Sequence, residues 1–248
     1  DILRHNEDSH AHEHYEYFRS KLAGAYDEQL THELDYILDT TLKVFDEIVK
    51  VPVLLSMLAV VLGDQQTDGK GRLTLPYSLY ELYVMAVRAV LRKRARKKAG
   101  PAGESDDEAR TRRLLRRVAF ANHVARRRIF TQSDVRAALV GDEHEAELYE
   151  LWDAAVHDPH QHPPLIKILT APTAAGEGGE FQFAHMSFQE FLFLETFEVH
   201  AAAGRGTPLG FKWASVEEKA AFLCDKFYRH CIEIGAPILA STLFTEEH

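Results

Sequence analysis

A chain of 248 residues, 46% of them hydrophobic, can fill one large core or two small ones, which excludes a wholly disordered polypeptide. Its two cysteines, Cys224 and Cys231, lie in one helical segment and form neither a disulfide framework nor a metal signature, so a reducing, cytoplasmic setting is expected. The start is acidic and histidine-rich rather than basic then apolar. The longest apolar run, Val51 to Leu62, is shorter than the ~18 residues a membrane span requires.

The net charge of −9 hides an asymmetry. Between Arg88 and Arg128 there are fifteen Lys/Arg against four Asp/Glu, a balance of +11, which leaves −20 for the rest. Such a split points to electrostatics within the chain or with a partner.

Residues 1–10 read as an irregular lead-in, and the abrupt Asp1 as the start of a fragment. A helix is expected over about Ala11–Leu22, with Tyr15, Phe18 and Leu22 on one face, and a longer one follows with Leu30, Leu34, Ile37, Leu38, Leu42, Phe45 and Ile48/Val49. Pro52 suits the first turn of a new helix. The apolar segment Val51–Leu62 reads as buried nearly all round. A polar loop, Asp64–Arg72, comes next.

Ser78 and Glu81 make a capping box for a helix that ends in the basic run Arg92–Lys98. Ala99–Asp107 reads as a loop, and Glu108–Arg126 as a helix with Leu114, Leu115, Val118, Ala119 and Val124 inward. Thr131 and Asp134 signal a further helix start, ended by Gly141. Another helix is expected over Asp142–His157, then a Pro-bounded loop. Leu165–Leu169 and Glu180–Ala184 flank a Gly/Ala/Pro turn.

Two short apolar pieces after three helices suggest a winged-helix module with a small β-hairpin. Phe188, Phe191, Leu192 and Leu194/Glu195 then keep helical spacing. A Gly-containing break, Gly204–Gly210, precedes a last helix over about Ser215–Ile234. The fold class expected is mainly α.

Most motifs for chemistry are absent. Gly63-Asp-Gln-Gln-Thr-Asp-Gly-Lys-Gly71 has five residues between its glycines where a phosphate loop needs four, and Gly where that loop needs Ser or Thr. No Walker B strand, Gly-x-Ser-x-Gly or His-Glu-x-x-His occurs. The tracts His10/His12/His14 and His157/His160/His162 lack ligands at i and i+4 on a rigid helix, and no metal site is read from them. Ser187, Asp134 and His185 have no spacing that supports a triad. The basic 88–128 segment keeps a nucleic-acid footprint open, but only Phe120 is interleaved, which argues against nucleic acid as a partner.

Four stretches in order resemble the C-terminal part of a NACHT module, the nucleotide-switch region of NOD-like receptors and related STAND-class NTPases. Lys50-Val-Pro-Val-Leu-Leu-Ser-Met-Leu58 resembles its Pro-Leu-Leu-Leu helix start. Leu75-Pro-Tyr-Ser-Leu-Tyr-Glu-Leu-Tyr83 resembles its LP…ELY helix. Leu115–Asp134, ending Ile129-Phe-Thr-Gln-Ser-Asp134, resembles a third signature. Phe181-Gln-Phe-Ala-His-Met-Ser-Phe-Gln-Glu-Phe-Leu192 is most similar to the F.H.tFQEfl segment.

The resemblance implies a helical domain over 11–65, a winged-helix domain over 75–200 and the start of a second helical domain over 205–248. It implies that Pro52 packs near the adenine of ADP or ATP and that His185 reaches the β-phosphate of ADP, holding a closed state. The phosphate loop and Walker B strand would lie before Asp1, in a nucleotide-binding subdomain that would be a partner of this chain. The chain alone is then not expected to hydrolyse ATP or hold a metal, although its parent can be an ATPase. The expected role is regulatory: clamping nucleotide and controlling opening and homo-oligomerisation in immune or other signalling. The alternatives are a non-enzymatic helical scaffold that has lost nucleotide binding and a winged-helix nucleic-acid binder.

Overall fold

A computed structural model of the chain describes residues 52–64, 76–99, 104–158, 162–173, 178–204, 208 and 215–243. The helices expected over Ala11–Leu22 and Leu30–Val49, the His10/His12/His14 tract, His160 and most of the loops Asp64–Arg72 and Gly204–Gly210 lie outside the described residues. The described part is mainly helical, with one small three-stranded antiparallel sheet. Two compact units are present, Asp1–Ala89 and Val90–His248.

In the first unit, α1 (Pro52–Asp64) opens on Pro52, where a missing N–H leaves no helix bond unmade. Leu54, Met57, Leu58 and Val61 are buried, but Val60 is 40% exposed. Burial therefore follows a stripe at helical spacing, not the whole circumference expected from composition. Helix α2 (Leu79–Ala99) starts where Ser78 Oγ accepts the Glu81 N–H at 3.1 Å. The return half of the capping box is displaced by one residue: the Glu81 carboxylate accepts the Tyr77 N–H, at 2.7 Å.

The second unit continues with α3 (Glu104–Val124), β1 (Ile129–Thr131), α4 (Gln132–Leu139), α5 (Glu145–His157), β2 (Ile166–Pro172), β3 (Gly178–Phe183), α6 (Met186–Ala202), α7 (Val216–Cys224) and α8 (Arg229–Leu243). Helix α3 begins four residues before the expected Glu108. Acidic side chains Asp106 and Asp107 fall in its first turn, where the helix dipole favours them. Thr131 and Asp134 close the expected capping box on α4, with the Asp134 carboxylate accepting the Thr131 N–H at 2.8 Å. Gly141 turns the chain at φ 77. Helix α5 starts at Glu145 rather than Asp142, because the Asp142 carboxylate instead accepts the His144 N–H at 3.0 Å and pairs with Arg113.

The sheet order is β1-β3-β2, so the strand before α6 is the central one. β2 and β3 form the expected hairpin, with Ile166 opposite Phe183 and Ile168 opposite Phe181. A register shift after Ile168 accompanies an exposed Leu169. β1 was not expected as a strand: three residues carry too little alternation to be read as one, and its pairing with β3 is long-range. Phe130, Trp152, Phe181 and Phe183 pack together, ring centroids 5.0–6.2 Å apart where they meet. The buried Trp152 N–H donates to Gln132 Oε1 at 2.8 Å.

The last expected helix, about Ser215–Ile234, is in fact two. Asp225 breaks it, its carboxylate accepting the Phe227 N–H at 2.9 Å and starting a 3-10 turn, Lys226–Tyr228. Within α8, Gly235 allows a close approach: a Cβ there would stand 2.8 Å from Leu194 Cδ1.

Helix α6 is covered by α3 and α8. Phe193 stacks on Phe120 at 5.5 Å and on Tyr228 at 5.7 Å. Glu195 sits 3% exposed beneath this layer, and both Nε and a terminal nitrogen of Arg112 donate to it. Arg116 is the next cation, and burial holds its guanidinium below its ordinary value. Arg112 and Arg116 are the positive charges that face this buried carboxylate. Glu195→Ala is expected to lower stability by about 3 kcal/mol, as it strands Arg112, and Arg112→Met with Glu195→Leu to recover most of that loss in urea unfolding. Equal stability of Glu195→Ala and the parent chain would refute a role for this pair.

Candidate functional site

His185 stands between β3 and α6. The alternation of Phe181 and Phe183, both buried, fixes which face of β3 looks into the core. The Ala184 N–H then donates to Leu165 O at 2.7 Å, which ties the strand end to the start of β2. His185 is extended, at φ −142 and ψ 143, and serves as N-cap of α6.

Its cap is unusual in chemistry. Nδ1 accepts the Ser187 N–H at 3.3 Å and lies 2.7 Å from Ser187 Oγ. A ring nitrogen that accepts an N–H carries no proton, so the neutral ring holds its proton on Nε2. His185 is exposed, while Ser187 is 1% exposed. The first turn of α6 contains no acidic side chain, so its partial positive charge is not offset by one of its own. An Nε2–H donor beside such a helix end suits an anionic oxygen.

The structure does not assemble a triad. The Asp134 carboxylate is held by Thr131 and Arg127, and Ser187 meets Nδ1 from inside the helix turn. Pro52 belongs to the first unit and His185 to the second. His157 Nδ1 donates to Asp153 O, 2.9 Å away. No group of three or more His, Cys, Asp or Glu positioned to hold a metal ion occurs among the described residues.

Part of the basic segment is engaged within the chain. Arg113 meets Asp142 and Glu143, Arg117 meets Asp142, Arg126 meets Asp225, and Arg127 meets Asp134. Burial works against Asp142 ionising, yet the His144 N–H and Arg113 hold its carboxyl below the ordinary range. Helix α5 has no Lys or Arg and carries Glu145, Glu147, Glu150 and Asp153.

Sequence reasoning missed a polar seam on the far side of α6. His123, on the apolar stripe of α3, is fully buried with Nε2 3.2 Å from Cys231 Sγ. Phe193, Phe227 and Tyr228 surround its ring at 4.6–5.5 Å. Burial lowers its pKa to about 4 and raises that of the Cys231 thiol. Glu190, 8% exposed, bonds to His230 of α8. The hint in the sequence was a histidine four residues after Ala119 in an otherwise inward-facing row.

Comparison with known protein families, curated proteins and solved structures found no match. No helix among the described residues is long and apolar enough to cross a membrane. The tautomer is directly measurable: ring nitrogen NMR shifts of neutral His185 should report Nε2–H, and Ser187→Ala should give a mixture of tautomers. An Nδ1–H signal in the parent chain would contradict the cap.

Proposed function

We propose that the chain is the regulatory portion of an ATP/ADP-switched signalling NTPase of NACHT type, in which His185 donates to the β-phosphate of ADP and stabilises a closed state. The observation that supports this most is the cap geometry. Ser187 N–H and Oγ meet Nδ1, which leaves Nε2 as the nitrogen free to donate, and the ring is exposed at the N-terminal end of α6. One residue thus offers a directed donor beside a helix N-terminus.

Element order supports the winged-helix part of this reading. Helix, strand, helix, helix, strand, strand, with sheet order β1-β3-β2, is the succession such a module needs. His185 follows the last strand of that set. Pro52, which opens α1, is assigned the place beside the adenine in this proposal. A parent protein supplying the phosphate loop would complete the site, and a chain of this kind would gate opening and homo-oligomerisation rather than perform chemistry.

Against the nucleic-acid alternative stands that five of the fifteen basic residues of 88–128, Arg112, Arg113, Arg117, Arg126 and Arg127, are partnered by carboxylates of the chain itself. A scaffold without nucleotide remains the competing outcome of the test.

In a parent protein that carries the upstream nucleotide-binding subdomain, His185→Ala should weaken ADP retention by roughly tenfold or more and raise basal signalling. Loss of one hydrogen bond to a charged group is of that size. ADP off-rates equal in the variant and wild type, with unchanged basal signalling, would favour the scaffold.

A further inference from the structure

The C-terminal segment, from the Asp225 break to Leu239, is fastened to α3 and α6 by polar groups set in an aromatic layer. His230 Nδ1 meets Glu190 Oε2 at 2.5 Å, and Cys231 Sγ meets His123 Nε2. Arg126, at the end of α3, pairs with Asp225 and lies over the Phe227 ring, 4.9 Å from its centroid. Apolar side chains alone would hold such a seam with no dependence on protons. Here two of its three ties run through imidazoles that need opposite charge states.

We propose that Glu190, His230 and His123 form a proton-operated latch that holds Asp225–Leu239 against α3 and α6 and releases it outside a limited pH window. His230 acts as the cation. Glu190 is a buried carboxylate whose bonded charge partner is the protonated ring. When that ring loses its proton, the carboxylate is left in a desolvated place beside a neutral group. His123 acts in the reverse sense. Its ring lies between Phe193, Phe227 and Tyr228, with Arg126 close by, and the seam can be closed only while it is neutral. The other titratable or charged groups at the seam are Arg126 of α3, Asp225, Tyr228, and Cys231 and Glu233 of α8.

The directions follow from the two histidines. The bond to Glu190 raises the His230 pKa, so its contribution is complete below its ordinary value of 6.5 and is lost as pH rises through the raised value. Burial lowers the His123 pKa to about 4, so stability is lost as pH falls from 6.5 towards that value. The latch is therefore tightest slightly on the acid side of neutrality and loosens in both directions.

Hydrogen exchange of the α8 amides in the 248-residue chain, corrected for intrinsic rates, tests this. Protection should peak near about pH 6.5 and fall about threefold or more by about pH 8, below the range in which the Cys231 thiol ionises, and by about pH 4.5. Glu190→Gln should remove the alkaline limb and shift the acid limb further down, because its charge also acts on His123, whereas His123→Phe should remove the acid limb. Should Glu190→Gln fail to fold, His230→Gln is read in the same way. Protection that does not vary with pH, an alkaline limb that survives both Glu190→Gln and His230→Gln, or the same bell at the α5 amides would overturn the latch.

Discussion

Helix α6 has no solvent face between Gln189 and Phe197, and the second unit is arranged to meet that constraint. A helix apolar and buried all round must be covered on every side. Here β3 leads into it, α3 and α8 flank it, and Gly235 lets α8 approach Leu194 closely. The same burial dictates what its polar residues do. Glu195 requires Arg112, Glu190 requires His230, and Gln189 donates to Arg127 O at 2.9 Å. The helix reaches water at its two ends, and His185 stands at the N-terminal one.

The two charge domains seen in the sequence are partly reconciled inside the fold. Arg112, Arg113, Arg126 and Arg127 are met by Glu195, by Asp142 and Glu143, by Asp225 and by Asp134, of which Asp134 lies seven residues from its partner and the others 29 or more. These arginines therefore act as intramolecular fasteners between α3 and what packs on it. Reversing the charge of Arg112 or Arg113 would set like charges against Glu195 or Asp142, so such a variant would not report on nucleic acid alone.

Much of the local structure was legible because its signals are local. The Thr131/Asp134 box, the Gly141 stop, the hairpin and the start of α1 at Pro52 each depend on a few neighbouring residues. What escaped depends on distant partners. β1 exists because β3 pairs with it, and the division of the last helix reflects the Asp225 cap and its pairing with Arg126. The role of His123 required knowing that Cys231 and three aromatic rings close over it. At the site, His185 was identifiable from the residues around it. Its cap to Ser187, which sets the tautomer, needed the backbone conformation at the strand end.

On the proposed reading, α6 is a rigid post whose solvent end presents one directed donor and whose buried length carries the seam to the C-terminal helix. The reading rests on Nε2–H of His185 meeting the β-phosphate of ADP. The most direct measurement is phosphorus NMR of ADP bound to a parent protein with its phosphate loop, as His185 is titrated. The account predicts that the β-phosphate resonance moves with the ionisation of His185 and loses that dependence in His185→Gln. A β-phosphate resonance indifferent to both would contradict it.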